Sequence, residues 1–209
     1  MGKAVLFRFI HVRDMMDMDD GSVQLQALKS MDAEALREIF ELYAPAIYKY
    51  AFRHCGNAIL ADNIVGDVFE KLMEQLSQGR GPSSNIRSYL FETAYHAMVD
   101  EFRHVQRMAS MSSMELHLPP INSIDTTVED LNLMESIWRV IQCDLTEDQR
   151  HVIILRFLDG FSLKEIASIM GRKVSSIKVI QHRAVGALRR KLDSQTMKHK
   201  SDEQDRLIQ

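Results

Sequence analysis

The sequence predicts an all-α protein: two small helical domains joined by a flexible linker, the second domain a helix-turn-helix. Three observations predict it. Nearly every patterned stretch has helical spacing, and no β alternation is present. The middle of the chain, 108–130, reads MASMSSMELHLPPINSIDTTVED, small and polar with Pro119–Pro120. At about 23 residues it is long for a connection inside a compact domain. Finally, 161–192 reads FSLKEIASIMGRKVSSIKVIQHRAVGALRRKL, two helical patterns flanking a glycine.

The elements follow in order. Residues 1–29 form an N-terminal extension. Its start, MGKAVLFRFIHVRD, has a short apolar stretch broken by Arg8, a poor signal peptide, and Leu6 fails the myristoylation pattern. Met15, Met16 and Met18 follow closely and are candidate translation starts. The first domain spans 30–107. Leu36, Ile39, Phe40, Tyr43, Ile47, Tyr50, Ala51 and His54 step along one helical face, and Pro45 is expected to kink or split it. Ala61, Ile64, Val65, Val68, Phe69, Leu72 and Leu76 mark a second helix, ended by Gly79, Gly81 and Pro82. Ile86, Tyr89, Leu90, Thr93, Ala94 and Ala97 share one side of a third.

After the 108–130 linker, the second domain spans 131–192. Leu131, Met134, Ile137, Trp138 and Ile141 resume the helical pattern. Thr146–Gln149 fits a capping box, and Asp159–Gly160 ends the helix it opens. Ser162–Glu165 fits a second box, with Leu163, Ile166, Ala167 and Met170 inward before Gly171. Ile177, Ile180, Ala184, Leu188 and Leu192 form the apolar side of the last helix. The tail, 193–209, is polar and mixed in charge, so disorder is expected.

Charge is unevenly spread. The net charge is −3, yet Phe161–Leu192 carries eight basic residues against one acid. Met108–Met134 has four acids and no Lys or Arg. A local basic patch in an acidic chain is an electrostatic footprint confined to one face. At about 100° per residue, Ser175, Lys178, Val179 and His182 share one outward stripe of the last helix. Such a helix fits the major groove, where Ser, Lys and His reach base edges and Val meets a thymine methyl. Arg172, Lys173, Arg183, Arg189 and Arg190 are placed for phosphates, with Ser176 beside them. A solvated amphipathic helix is the alternative. Lys173 has no side-chain acceptor, so Ser175 or Ser176 is expected to cap the helix and start it later.

Several classes find no support. Cys55 and Cys143 stand outside any Cys-x-x-Cys and make no disulfide framework. No apolar run approaches the ~18 residues of a membrane span, so no membrane insertion is expected. Neither a phosphate loop, an HExxH nor a Cys/His metal spacing occurs, so no enzyme activity, cofactor or metal is expected. A single helical histidine such as His54 or His151 is more often structural than a ligand.

These residues resemble a known family. LTEDQRHVIILRFLDGFSLKEIASIMGRKVSSIKVIQHRAVGALRRKL (145–192) is similar to the fourth region of bacterial RNA polymerase sigma factors of the extracytoplasmic-function (ECF) group. LREIFELYAPAIYKYAFR (36–53) resembles that family's opening helix, LADNIVGDVFEKLM (60–73) its clamp-docking helix, and RSYLFETAYHAMVDEFRH (87–104) its minus-ten helix. A linker running directly into the fourth region is this group's hallmark. The resemblance covers about 30–192.

It implies a cytoplasmic transcription initiation factor whose partners are core RNA polymerase at its clamp, promoter DNA and, as a candidate, an anti-sigma protein between the domains. It assigns polymerase contact to Asp62, Asn63, Val65, Asp67, Val68 and Phe69. Minus-ten contact falls to Arg87, Tyr95, His96, Asp100, Arg103 and Arg107, and minus-thirty-five contact to the last-helix residues above. The acidic linker would mimic nucleic acid near the RNA exit. The sequence departs from the family at Asn63 and Gly66, which replace a carboxylate and a long amide. It departs again at Tyr95–His96, where Arg-Asn is usual, and after Arg103, where fewer cations follow. The two aromatic rings would stack on an extruded base, or Tyr95 would instead pack against its own domain. Two rivals stay open at this point: a DNA-binding regulator that never joins polymerase, and a sequestering protein with a vestigial helix-turn-helix.

Overall fold

The computed structural model describes residues 28–108 and 128–206. The predicted N-terminal extension and the acidic linker lie mostly outside them. Helix α1 is Ala33–Cys55, α2 Ala58–Ser77 and α3 Ile86–Met108. Helix α4 is Val128–Cys143, and α5, Glu147–Ile153, widens into a π turn at Ile154–Leu158. Helix α6 is Leu163–Ile169 and α7 Val174–Arg206. Among the described residues there is no strand.

Short polar residues start the first three helices. Asp32 accepts from the Ala35 N–H at 2.9 Å, Asn57 from Leu60 at 3.0 Å and Asn85 from Ser88 at 2.9 Å. Gly56, at φ 67°, closes α1 with its N–H on the Phe52 carbonyl. Of the kink or split expected at Pro45, the split does not occur: α1 runs as a single helix through it. Proline removes one intrahelical hydrogen bond, and Pro45 is exposed, so water can serve the Glu41 carbonyl it leaves unpaired. Phe40 is also corrected: it is 49 % exposed rather than core, with its ring 4.8 Å from Phe69.

The buried stripe of α2 is Ala61, Ile64, Val68, Leu72 and Leu76. Helix α3 buries more than the single side predicted. Besides Ile86, Leu90 and Ala94 it hides Phe91, Tyr95 and Met98. Its extra face packs against the second domain, where the Phe91 and Phe161 rings meet edge-on at 4.8 Å.

Both predicted capping boxes form. Thr146 and Gln149 exchange bonds at the start of α5, and Ser162 and Glu165 do so at α6. Gly171 turns the chain between α6 and α7 at φ 60°, a conformation that suits glycine. Two clusters form the interior. The smaller joins Trp138, Ile141, Leu145, Ile153, Ala184 and Leu188 within the second domain. The larger runs from Leu28 through the first domain to Phe161, Ile166 and Ile177 in the second. The two domains therefore share one core, which local periodicity does not reveal.

The predicted disordered tail is corrected as well, since α7 continues to Arg206. Residues 193–206 contain no Gly or Pro to stop it.

Candidate nucleic-acid interface

Helices α6 and α7 present the predicted reading face. Ile177, Ala184 and Leu188 are buried and fix the roll of α7. That roll leaves Ser175, Ser176, Lys178, Val179, His182 and Arg183 exposed, with Arg189 and Arg190 further along. Val179 is 50 % exposed in the middle of this polar stripe. An apolar side chain held in water there can contact a thymine methyl group.

Helix α7 starts at Val174, ahead of both serines, so the expected late cap is corrected. The Lys173 backbone carbonyl accepts from Ser176 at 2.9 Å and Ile177 at 3.1 Å. Backbone geometry after Gly171 thus closes the first turn. Arg172 pairs with Asp148 at 2.8 Å, which ties the turn to α5. Lys191 pairs with Asp144 at 2.5 Å, and Arg189 lies 3.9 Å from Asp193. These exposed pairs are weak and exchange readily for phosphate.

The α3 residues divide. His96, Asp100 and Arg103 are exposed, the last two 3.3 Å apart. Tyr95 is only 7 % exposed, with its ring 4.8 Å from His151 of α5. Burial raises its phenol above the ordinary range. Tyr95 thus packs as a structural residue, yet against the second domain rather than only its own. Arg87 donates to the Asp159 carbonyl, and its guanidinium lies 3.9 Å over the Phe161 ring. In this conformation neither Tyr95 nor Arg87 is open to a DNA strand. The Arg107 side chain falls outside the described residues.

On α2, Asp62, Asn63 and Asp67 are exposed, and Val65 and Phe69 are half-buried. Val68 is fully buried and belongs to the core, so it cannot meet a partner. Its i±4 neighbours Ile64 and Leu72 share that stripe. An open groove beside these residues is lined by Asp62, Asp67, Glu70, Asp100 and Glu101, with Ile64 and Ala97 as its floor. Nothing within 4 Å would meet a Cβ at Gly66.

Sequence reasoning missed a polar cluster between the domains. His54 and His151 stack at 3.8 Å with 16° between their planes. Tyr50 Oη lies 2.8 Å from His151 Nδ1. Arg53 donates to Asp159 at 3.1 Å. Burial lowers His54 to about 3 and holds His151 well below its ordinary range, with Arg150 repelling a second charge in both cases. Burial also pushes the Asp159 carboxyl up to about 7, against the pull of Arg53 and Arg87. Partners 97 to 106 positions apart leave no local signal; only the buried periodicity of His54 hinted at it.

Among the described residues no group of three or more His, Cys, Asp or Glu is placed to hold a metal ion, and no helix is long and apolar enough to cross a membrane.

Comparison with known proteins gives these surfaces a context. The family model "Sigma-70 region 2" matches residues 39–108, and "Sigma-70, region 4" matches 144–190. The ECF RNA polymerase sigma factor BldN of Streptomyces coelicolor is 23 % identical over 190 residues, covering 87 % of this chain and 70 % of the relative. The ECF RNA polymerase sigma factor SigX of Bacillus subtilis is 25 % identical over 167 residues, covering 77 % and 84 %. In solved structures the fold resembles the sigma factor RpoE of Bartonella quintana, crystallised with the anti-sigma factor NepR. There the TM-score is 0.59 at 23 % identity, over 75 % of this chain and 96 % of that one. CnrH in complex with the cytosolic domain of CnrY also has a TM-score of 0.59, at 20 % identity over 82 % and 96 %. With both regions matched in order, and the relatives aligned through them, the chain belongs to the ECF group of RNA polymerase sigma factors.

Proposed function

We propose that the chain directs transcription initiation by joining core RNA polymerase through the exposed α2 face and reading promoter DNA at two places. The observation that carries the DNA-reading part is the exposed α7 stripe. Ser175, Lys178, Val179 and His182 stand toward bases, with Arg183, Arg189 and Arg190 beside them for phosphates. Arg172 and Lys173 continue the phosphate set at the turn. On α3, His96, Asp100 and Arg103 meet the melted minus-ten strand, and Arg87 and Tyr95 join them when the second domain moves away. Asp62, Asn63 and Asp67 present the charge that docks on the clamp, with Val65 and Phe69 as half-buried apolar contacts.

In this reading polymerase supplies all of the chemistry, and the chain works in the cytoplasm as a non-catalytic subunit. In one similar structure the sigma factor RpoE is in complex with the anti-sigma factor NepR, so an anti-sigma protein is a candidate regulator here.

The test is promoter-specific run-off transcription with purified core enzyme, alongside co-purification. The reading expects a discrete transcript that requires both proteins. A chain that binds promoter DNA but leaves core polymerase silent would instead fit a stand-alone regulator.

A further inference from the structure

Helices α1 and α2 leave an apolar groove between them on the side away from α3. Phe40, Ala44, Tyr48 and Phe52 recur every four residues along α1, and Val65, Phe69 and Met73 do so along α2. Each set therefore forms one row on its helix. The α3 side of the pair is marked by the Tyr50 ring, 5.3 Å from Phe91, and by Asp67, which lines the acidic groove with Ala97. Tyr48 and Phe69 stand two residues from those markers, so each row lies about 160° round its helix from α3.

The Phe40 and Phe69 rings meet at 4.8 Å and close one end. The Tyr48 and Phe52 rings, stacked at 5.9 Å with 5° between their planes, wall the other. The helices run antiparallel from the short turn at Gly56–Asn57, so the ring contact sets Ala44 opposite Val65. Small side chains thus floor a groove with aromatic ends. Phe40 is 49 % exposed and Met73 42 %, so the described residues leave this surface in water. Isolated exposed apolar residues need no explanation, but contiguous ones mark a docking surface.

The chain carries an occupant of matching chemistry. Val5–Ile10 reads VLFRFI, and residues 1–13 hold Lys3, Arg8 and Arg13 with no acid. The outward edges of the groove are acidic. Glu41 and Asp62, three residues before Ala44 and Val65, stand exposed on the same sides of their helices. Glu34 and Glu41 share the single charge of Arg37, which leaves one carboxylate in surplus. The reach suffices too. The chain enters the core at Leu28, fully buried, and α1 begins five residues later. Phe40 lies about 10 Å along that helix, and the 17 residues from His11 to Ala27 span up to ~60 Å. A tethered segment meets its site at about millimolar effective concentration, so even a weak contact is populated.

We infer that Val5–Ile10 docks into the α1–α2 groove of its own chain and there shields Val65 and Phe69 from the polymerase clamp. The shielding, though not the docking, rests on the polymerase-joining function proposed above. Segment and clamp compete for the same apolar contacts, so the segment lowers the affinity of the free chain for core polymerase. A chain started at Met15 keeps every described residue and lacks the segment.

Photocrosslinking from Phe7→benzoylphenylalanine in the full-length chain, mapped by mass spectrometry, reads the docking. Mixing isotope-labelled and unlabelled chains separates links within a chain from links between two. Titration with core polymerase reads the consequence. The expected links fall within one chain, on α1 and α2 around Phe40 and Met73, and drop at least fivefold in Phe9→Asp. Phe40→Ser, checked for folding by circular dichroism, lowers them as well. The chain started at Met15 and Phe9→Asp are each expected to bind core polymerase at least threefold more tightly than the full-length chain. Links elsewhere, between chains or absent overturn the docking. Links in place with unchanged core affinity overturn the shielding. If no protein binds core polymerase, the polymerase-joining function itself is contradicted, and the links still decide the docking.

Discussion

Acidification is expected to weaken the folded chain, and Asp159→Asn is expected to make it weaken faster. His54 and His151 are buried neutral, with His54 lowered from 6.5 to about 3 and His151 well below its ordinary range. The unfolded chain takes up protons on both below its pKa of about 6.5, while the folded chain does not. Their contribution is intact above that pH and is lost as pH falls. From pH 6 to 5 a histidine held neutral by the fold, as His54 is, removes on the order of 1 kcal/mol, and His151 acts in the same sense. Asp159 acts in the opposite sense. Its folded value is raised from 3.8 to about 7, so between those values the folded state holds the extra proton. Acidification over the same interval therefore returns on the order of 1 kcal/mol. Asp159→Asn, which no longer titrates, is therefore expected to lose on the order of 1 kcal/mol more than the wild type over this interval. Urea unfolding of the full-length chain at pH 6 and pH 5 measures both. Equal losses in the two proteins would refute the reasoning, since the Asp159 carboxyl would then be ionised throughout.

Three other outcomes follow from particular side chains. Lys178→Ala should weaken binding to the cognate promoter about tenfold or more and relax its sequence preference, whereas Arg183→Ala should weaken all sequences alike and lower the salt slope by about one; fluorescence anisotropy across salt concentrations separates the two. Gly66→Ala should stabilise the chain by about 0.5–1 kcal/mol in urea unfolding, because a Cβ there meets nothing within 4 Å in a helix interior. Ser162→Ala should cost about 1 kcal/mol, since the Ser162 hydroxyl accepts from the Glu165 N–H at 3.2 Å in the α6 capping box; no loss in thermal unfolding would deny the box an energetic role.

What could be read from the sequence was set within a few turns of chain. Thr146 and Ser162 announce their helices because a cap needs only residues three apart. Gly171 marks the turn, and the burial of Ile177, Ala184 and Leu188 leaves the predicted stripe outside. Legibility failed where distant segments decide. Phe91 and Tyr95 fall off the predicted side of α3 because rings of the second domain, Phe161 and His151, help to cover them. Asp159 looked only like a helix stop, and its partner Arg53 lies 106 positions away. Pro45 and the polar tail failed for another reason. Pro45 was expected to kink or split its helix and the tail to be disordered, yet one lost hydrogen bond at an exposed position and a polar run free of Gly and Pro are each compatible with a helix. At Val68, the contact implied by family resemblance conflicted with the apolar stripe, and the stripe prevailed.

The central claim is that one chain brings polymerase to a promoter and reads it twice. Footprinting with permanganate probing on a promoter selected by the reconstituted complex tests it most directly. The account predicts an upstream duplex element protected through the α7 face and, only with core polymerase present, reactive thymines in a melted stretch downstream. Protection of the upstream element alone, unchanged by core polymerase and with no melted bases, would contradict it.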